Sequence, residues 1–177
     1  SPNDSAQRFA DMGIDVYFGQ GSFVDGNTIH VTRKDGSLST LNFRKAVIAA
    51  GARASAPPIP GLEGIHYLTN ENLFSLTELP QRFGIVGSGP IGCEMAQTFA
   101  RLGSEVFLFE RSDRILSKED KEAAAIVQRQ FERDGVRLML NSQDMSVAAH
   151  NDGRIAVRVK QNGEYTETVV DQLLVAV

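Results

Sequence analysis

The 177-residue sequence has one cysteine, no tryptophan and three histidines. The single Cys93 excludes disulfide cross-links within the chain and any metal site built from several cysteines. His30, His66 and His150 stand in unrelated segments, without the spacing of a metal site or a catalytic triad. No apolar run approaches the ~18 residues needed to cross a bilayer, and a formal charge of -4 gives no electrostatic footprint for nucleic acid. We therefore expect a cytoplasmic protein with neither a membrane nor a nucleic-acid partner.

The ends of the sequence are also unlike those of a complete domain. The chain starts without an initiator methionine and stops inside an apolar run, residues 173–177. A buried strand is a rare place for a natural domain to end. We therefore expect this chain to be a fragment of a longer protein.

The sequence does contain a glycine-rich turn between a predicted strand and a predicted helix. Residues 83–86, Phe-Gly-Ile-Val, have the composition of a strand buried on both faces. In the Gly-x-Gly-x-x-Gly that follows, Gly87 permits a tight turn, Gly89 lets the backbone approach a pyrophosphate, and Gly92 lets the helix pack on the strand. Pro90 suits the first position of that helix. The spacing predicts a strand, turn and helix that bind a dinucleotide.

An acidic residue follows at the distance that this interpretation requires. The apolar strand predicted over residues 105–109 ends at Glu110, eighteen positions after Gly92. A carboxylate about 20 residues after the turn is typical of the group that binds both hydroxyls of the adenosine ribose. It repels a 2′-phosphate, which favours NAD over NADP. Arg111 and Arg114 partly offset that repulsion, so NADP stays an alternative.

Cys93 and the turn itself allow other interpretations. The helix dipole can lower the pKa of a thiol in the first turn and make it a nucleophile, whereas a small packing residue fits the surrounding apolar pattern better.

An NAD-sensing regulatory module without chemistry, or an adenosylmethionine-dependent transferase, would also use a glycine turn. The hairpin-rich segments on either side argue against both.

Two β-meanders are predicted around this unit. The first is signalled by alternating or β-branched runs separated by Asp-Gly turns, and the second by runs joined through Asn-Asp-Gly and Asn-Gly turns. Their predicted strands are residues 14–18, 28–32 and 37–43, then 145–149, 154–161 and 164–170. A fully buried strand is predicted over residues 45–51, a proline-rich interdomain crossing at 57–61, and a last apolar strand over 172–177.

The remaining predicted elements are a second helix and a third strand, which complete a βαβαβ unit, and two short helices that precede it in the chain. A capping-box pattern at Ser117 predicts a helix that runs to residue 134 and precedes a third strand over residues 136–140. Short helices are predicted over residues 6–12 and 70–76.

These patterns together resemble the pyridine nucleotide-disulfide oxidoreductases, in the branch of dihydrolipoamide dehydrogenase and mercuric reductase. The resemblance rests on the first meander, Ala-Ala-Gly at residues 49–51, the proline crossing, the glycine turn with its acid and the second meander. It implies an α/β fold, an FAD/NAD(P)-binding, Rossmann-like three-layer domain with a parallel sheet and a β-meander. It also implies a partial FAD-binding domain over residues 1–53, a crossing over 54–79 and an NAD(P)-binding domain over 80–177.

The resemblance also implies a chemistry, in which NADH passes a hydride to FAD and the electrons continue to a disulfide or a metal-ion acceptor. The intact protein would then be an FAD-dependent NAD(P)H oxidoreductase and a homodimer. The implied NAD(P) residues are Gly87, Ser88, Gly89, Pro90, Ile91, Gly92, Glu94, Glu110 and Arg111, and the implied FAD residues are Ala50 and Gly51.

Several positions depart from the family pattern. Ala50 replaces a threonine of the family signature, and Pro90 stands where some relatives carry an aromatic gate over the nicotinamide. Glu94 matches the glutamate near the nicotinamide, the alternative being an acid that the helix dipole favours. The sequence has no FAD fingerprint, redox cysteine pair or His-Glu acid-base pair. We therefore expect no catalytic residue in the fragment and no turnover by the fragment alone.

Overall fold

The computed structural model describes residues 5–51 and 56–177. The chain divides into two compact units, Ser1–Ala52 and Arg53–Val177. The first four residues and the predicted domain boundary after residue 53 lie outside the described residues.

The first unit contains a short helix and an antiparallel meander. Helix α1 is Ala6–Asp11, and the strands are β1 (Gln20–Phe23), β2 (Thr28–Thr32) and β3 (Leu38–Asn42), in the order β1-β2-β3. The turns close where the sequence predicts them. Asp25 accepts a hydrogen bond from the Asn27 amide at 2.8 Å, and Asp35 accepts one from the Ser37 amide at 2.9 Å.

Two strands predicted for this unit are wrong. Residues 14–18 form no strand; β1 begins later, at Gln20, because the hairpin pairs Gln20 with Thr32. Residues 45–51 are neither a strand nor buried, and Val47 is 91% exposed. A strand needs a neighbour to complete its hydrogen-bond ladder, and among residues 5–51 and 56–177 nothing pairs with this segment.

The second unit is built on a four-stranded parallel sheet, in the order β10-β4-β5-β6. Its strands are β4 (Arg82–Val86), β5 (Glu105–Phe109), β6 (Arg137–Met139) and β10 (Gln172–Val175), and its helices are α2 (Pro90–Leu102) and α3 (Lys121–Arg133). Alternate side chains of each strand point to opposite faces. Those of Phe83, Ile85 and Leu108 pack in one core with Ala96 of α2 and Phe131 of α3.

The other face of the sheet packs against a second antiparallel meander. Its strands are β7 (Gln143–Ala149), β8 (Ile155–Gln161) and β9 (Glu164–Val170). Val157 and Val159 of β8 join Phe107, Phe109 and Leu173 of the parallel sheet in a second core. The order of layers is therefore helices, parallel sheet and meander, which confirms the predicted three-layer α/β fold.

Two helices of the second unit differ from the prediction. Helix α3 starts at Lys121, not near Ser117, because the Asp120 carboxylate caps it by accepting from the amides of Glu122 and Ala123, both at 3.0 Å. The predicted helix over residues 70–76 is one 3₁₀ turn, Leu73–Ser75.

The segment predicted as a crossing also contributes to the sheet. Leu68 forms a parallel bridge with Leu174, its amide donating to the Leu173 carbonyl at 2.7 Å, and its carbonyl accepting from Val175 at 2.8 Å. Leu62, Leu68 and Leu73 are buried. This stretch therefore packs as part of the second unit.

Candidate functional site

The candidate site lies at the carboxyl ends of β4, β5 and β10. The chain leaves β4 toward β5 on one side, while β10 returns on the other, so this is the point where the strand order reverses. Open α/β sheets bind ligands at such a point. A cleft of about 430 Å³ opens there, lined by Gly87, Ser88, Gly89, Pro90, Glu110, Arg111, Ser112, Leu116, Ser117, Lys118, Glu119, Ala176 and Val177.

Each glycine of the turn has a different surrounding. Gly87 has a φ of 96°, and a Cβ there would lie 2.7 Å from the Ala176 carbonyl oxygen. A Cβ on Gly92 would overlap the carbonyl oxygen of Gly87, whereas a Cβ on Gly89 would meet nothing within 4 Å. Packing within the protein therefore requires glycine at positions 87 and 92. Gly89 faces open space, where a ligand could approach the backbone.

Helix α2 starts at this turn, and its first residue, Pro90, lines the cleft, whereas Ile91 and Gly92 do not. Pro90 occupies the first helical position, and the first helical hydrogen bond runs from the Cys93 amide to the Gly89 carbonyl at 2.9 Å. The amides of Ile91 and Gly92 precede that bond, so they belong to the unpaired donors of a helix N-terminus. Together with the helix dipole they favour an anion at this position.

The Glu110 carboxylate lies beside the turn and accepts hydrogen bonds from Ser88 and Ser112. Its Oε2 accepts from the Ser88 amide at 3.1 Å and the Ser88 hydroxyl at 2.6 Å, and its Oε1 accepts from the Ser112 amide at 2.7 Å. Partial burial raises the pKa of Glu110, but the hydrogen bonds from Ser88 and Ser112 outweigh it and hold that pKa below its usual value. Glu110 is therefore an oriented anion at neutral pH.

The loop after β5, residues 112–119, closes one side of the cleft. The Leu116 amide donates to the Ser88 carbonyl at 3.0 Å. The Arg114 guanidinium donates to the carbonyls of Leu116, Ser117 and Glu119 at 3.1, 2.7 and 3.2 Å. Arg114, considered from the sequence as a partner for a 2′-phosphate, thus supports the loop. The sequence offered no signal that Ser112 or this loop would line the site.

Arg111 and Lys118 are the cations in the lining of the cleft. Arg111 is exposed, and its carbonyl accepts a hydrogen bond from the Gln143 side chain at 3.1 Å. A second cleft, of about 700 Å³, lies on the meander side of Glu110. It shares Gly87, Glu110, Arg111 and Val177 with the first, and its further lining includes Pro57, Pro58, Ile59, Pro60, Phe109, Asp144 and Met145.

The other residues singled out in the sequence lie outside the cleft. Burial and the charges of Glu110 and Glu94 raise the pKa of the Cys93 thiol to about 12, and its Sγ donates to the Ser88 carbonyl at 3.3 Å. This thiol stays protonated, as a packing residue does. Glu94 is exposed on α2 and does not line the cleft. Ala50 and Gly51 lie in the first unit, where both are exposed.

The sequence model of the pyridine nucleotide-disulphide oxidoreductases matches residues 3–177. The chain belongs to this family. Its members are FAD-dependent enzymes that use NAD(P)H, as the resemblance predicted. Mercuric reductase of Bacillus cereus is 35% identical over 167 residues, covering 94% of this chain and 25% of that enzyme. The probable pyridine nucleotide-disulfide oxidoreductase RclA of Escherichia coli is 34% identical over 178 residues, covering 98% of this chain and 38% of that protein.

Solved structures of the family share the fold of this chain. The HOCl-induced flavoprotein disulfide reductase RclA of Escherichia coli matches with a TM-score of 0.72 and 31% identity, over 96% of this chain and 37% of that one. LpdA of Mycobacterium tuberculosis matches with a TM-score of 0.75 and 29% identity, over the same shares. The curated relatives are longer, and the chain spans between 25% and 38% of their length.

Residues 5–51 and 56–177 contain neither a membrane-spanning helix nor a clustered metal site. None of the helices is long and apolar enough to cross a membrane. No group of three or more His, Cys, Asp or Glu side chains in those ranges is placed to hold a metal ion.

Proposed function

We propose that this chain is the NAD(P)H-binding portion of an FAD-dependent pyridine nucleotide-disulphide oxidoreductase. The observation that carries this proposal is the juxtaposition of an oriented, ionised Glu110 with the glycine turn and the N-terminus of α2. The division proposed with it is a partial FAD-binding domain over residues 1–53, a crossing over 54–79 and the NAD(P)-binding domain over 80–177.

The residues of the cleft and of the adjoining N-terminus of α2 fit a dinucleotide. The amides of Ile91 and Gly92 would hold the pyrophosphate, and the open space at Gly89 lets it come close to the backbone. Glu110 would bind the adenosine ribose and disfavour a 2′-phosphate, so NADH is the proposed donor. Arg111 and Lys118 are the cations that would admit NADPH with lower affinity.

The bound nucleotide would supply a hydride to the flavin of the intact protein, from which electrons pass to a disulfide or a metal-ion acceptor. The chain's own contribution is to bind and orient the donor. Glu94 is proposed to face the nicotinamide end, one turn into α2 from the pyrophosphate amides. The intact protein is proposed to be a homodimer.

Flavin binding is proposed only for the intact protein. Ala50 and Gly51 are exposed and belong to no regular element, so residues 5–51 offer no formed flavin site. We expect the 177-residue chain to oxidise no NADH when FAD is added, and flavin-dependent oxidation above background would contradict this.

Titration calorimetry with NADH, NADPH and adenosylmethionine tests the proposed function. NADH should bind most tightly. Glu110→Ala should weaken NADH more than NADPH, because the variant loses the ribose acceptor and, with it, the repulsion of the 2′-phosphate. An equal loss for both would mean that Glu110 is not the ribose ligand. Tightest binding of adenosylmethionine would favour a transferase instead.

A further inference from the structure

The loop between β5 and α3 lines the proposed dinucleotide cleft with Ser112 and with residues 116–119. Contacts outside that stretch anchor the rest of the loop. The Ser112 carbonyl accepts a hydrogen bond from the Asn141 amide at 2.9 Å, and Ile115 is fully buried in the core that contains side chains of α2 and α3. Asp120 caps α3 at the other end. The stretch that needs a support of its own is therefore residues 116–119.

Burial alone does not hold this stretch in place. Ser117, Lys118 and Glu119 are exposed, and Leu116 is only partly buried. Leu116 also has a φ of 49°, in the left-handed region that a leucine rarely adopts. Such a backbone conformation costs free energy and persists only where the surrounding contacts enforce it. The conformation of the stretch therefore depends on its hydrogen bonds.

The Arg114 guanidinium donates several of these hydrogen bonds. Its Nη1 donates to the Leu116 carbonyl at 3.1 Å, and its Nη2 donates to the carbonyls of Ser117 and Glu119 at 2.7 and 3.2 Å. The Glu119 amide donates to the Leu116 carbonyl at 2.9 Å, and the Leu116 amide donates to the Ser88 carbonyl at 3.0 Å. One planar cation thus joins carbonyls along the exposed stretch, and the Leu116 amide connects that stretch to the glycine turn.

Arg114 itself stands outside the cleft that its loop lines. It belongs to the lining of neither the first cleft nor the second, whereas Lys118 of the same loop lines the first. A guanidinium presents its donors in a fixed plane, which suits a set of neighbouring carbonyls better than a lysine ammonium does. The effect of Arg114 on a bound nucleotide would therefore pass through the loop and not through a contact with phosphate.

We propose that Arg114 is a positioning residue, which orders residues 116–119 before the dinucleotide binds and thereby sets the affinity of the cleft. This role deepens the proposed dinucleotide function and rests on it. Preorganisation raises affinity because the ligand does not have to order the loop at the moment of binding. If the loop without Arg114 is ordered in about a tenth of the molecules, the affinity falls about tenfold.

Hydrogen exchange and titration calorimetry together test this role in Arg114→Ala. In the ligand-free variant the amides of Leu116 and Glu119 should exchange faster than in the unsubstituted protein, because their loop has lost its support. NADH should bind about tenfold more weakly. Since NADH carries no 2′-phosphate, this loss cannot come from a contact with that group. Faster exchange with unchanged affinity, or weaker affinity with unchanged exchange, would overturn the inference.

Arg82 provides the matched control. It is half-buried, its Nε donates to the Val169 carbonyl at 2.7 Å and its Nη1 pairs with Glu105 at 3.2 Å, at the amino end of β4 and outside both clefts. Arg82→Ala therefore also takes a guanidinium away from a backbone carbonyl of the second unit. It should keep NADH affinity within about twofold and leave the exchange of the two loop amides unchanged. An equal loss of affinity in Arg82→Ala and Arg114→Ala would refute a specific role of Arg114.

Arg114→Lys separates the geometry of the side chain from its charge, and it keeps the test decisive if the alanine variant does not fold. Lysine retains the positive charge but not the planar set of donors, so NADH affinity and the protection of the Leu116 and Glu119 amides should fall together. Full affinity with that protection lost would overturn the inference, because charge alone would then account for binding. Absence of NADH binding by the unsubstituted protein would refute the proposed function itself, whereas slow exchange retained in Arg114→Ala would refute the role of Arg114 alone.

Discussion

The molecule contains two three-stranded antiparallel meanders that share one topology and differ in burial. In β1-β2-β3 only Val31 is buried among the described residues 5–51. In β7-β8-β9 the side chains of Val157, Val159 and Val170 are fully buried against the parallel sheet. Both meanders form because their hairpin turns favour them locally. Burial needs a second layer, and within its own unit only the second meander has one.

The largest effect should come from a charge placed on the buried face of the second meander. Val157→Asp buries an unpaired carboxylate in the second core and should cost about 3–5 kcal/mol of unfolding free energy. Leu38→Asp, on a half-exposed position of β3, is the control and should cost less than about 1 kcal/mol. Urea denaturation followed by far-UV circular dichroism measures both. Similar losses of unfolding free energy in the two variants would contradict the difference in burial between the two meanders.

Ligand should protect one meander and leave the other unchanged. If the second unit binds NADH as proposed, free NADH at a hundredfold excess over Kd stabilises it by about 2.7 kcal/mol. Hydrogen exchange should then slow in β4-β5-β6 and β7-β8-β9, and stay the same in β1-β2-β3. Equal slowing in both meanders would show that their stabilities are coupled.

A methyl group added to the turn should affect the second unit more than one added to the first meander. Gly92→Ala forces a Cβ onto the Gly87 carbonyl and should cost about 1–3 kcal/mol. A Cβ on Gly21 in β1 would have no atom within 4 Å, so Gly21→Ala should cost little unfolding free energy. Gly89→Ala also has open space, so it should leave thermal stability unchanged while weakening NADH. Loss of stability in Gly89→Ala would contradict the assignment of that space to a ligand.

The smallest effect is expected on the exposed face of the second meander. The Arg158 guanidinium lies 4.2 Å from the centroid of the Tyr165 ring, and Tyr165 is half exposed. Arg158→Ala should therefore cost about 0.5–1 kcal/mol, as expected for an exposed cation–π contact. Arg33→Ala, which removes hydrogen bonds to Ser37 and Ser39, should cost a similar amount. A large loss of unfolding free energy in Arg158→Ala alone would show that contacts on the exposed faces also contribute to the difference in stability between the two meanders.

The sequence by itself determined those features whose causes lie within a few residues. The glycine turn at Gly87, the start of α2 at Pro90 and the hairpins at Asp25 and Asp35 follow from local backbone preferences, so they could be predicted. The three-layer order was also predictable, although partly through the resemblance to the family. Helix α3 shows the limit of local rules, since the pattern at Ser117 predicts its start and Asp120, three residues later, caps it instead.

Only the tertiary structure decided which apolar segments are buried and how the site is held. Residues 45–51 read as a buried strand but pair with nothing described, while Leu68, within a predicted crossing, bridges to Leu174. The bond from Ser88 to Glu110 joins residues 22 positions apart, and the loop over residues 112–119 is fixed by Arg114 and Ser88. Burial and long-range hydrogen bonds depend on which elements meet in space. The glycine turn could thus be recognised from its spacing, but the hydrogen bonds that orient Glu110 could not.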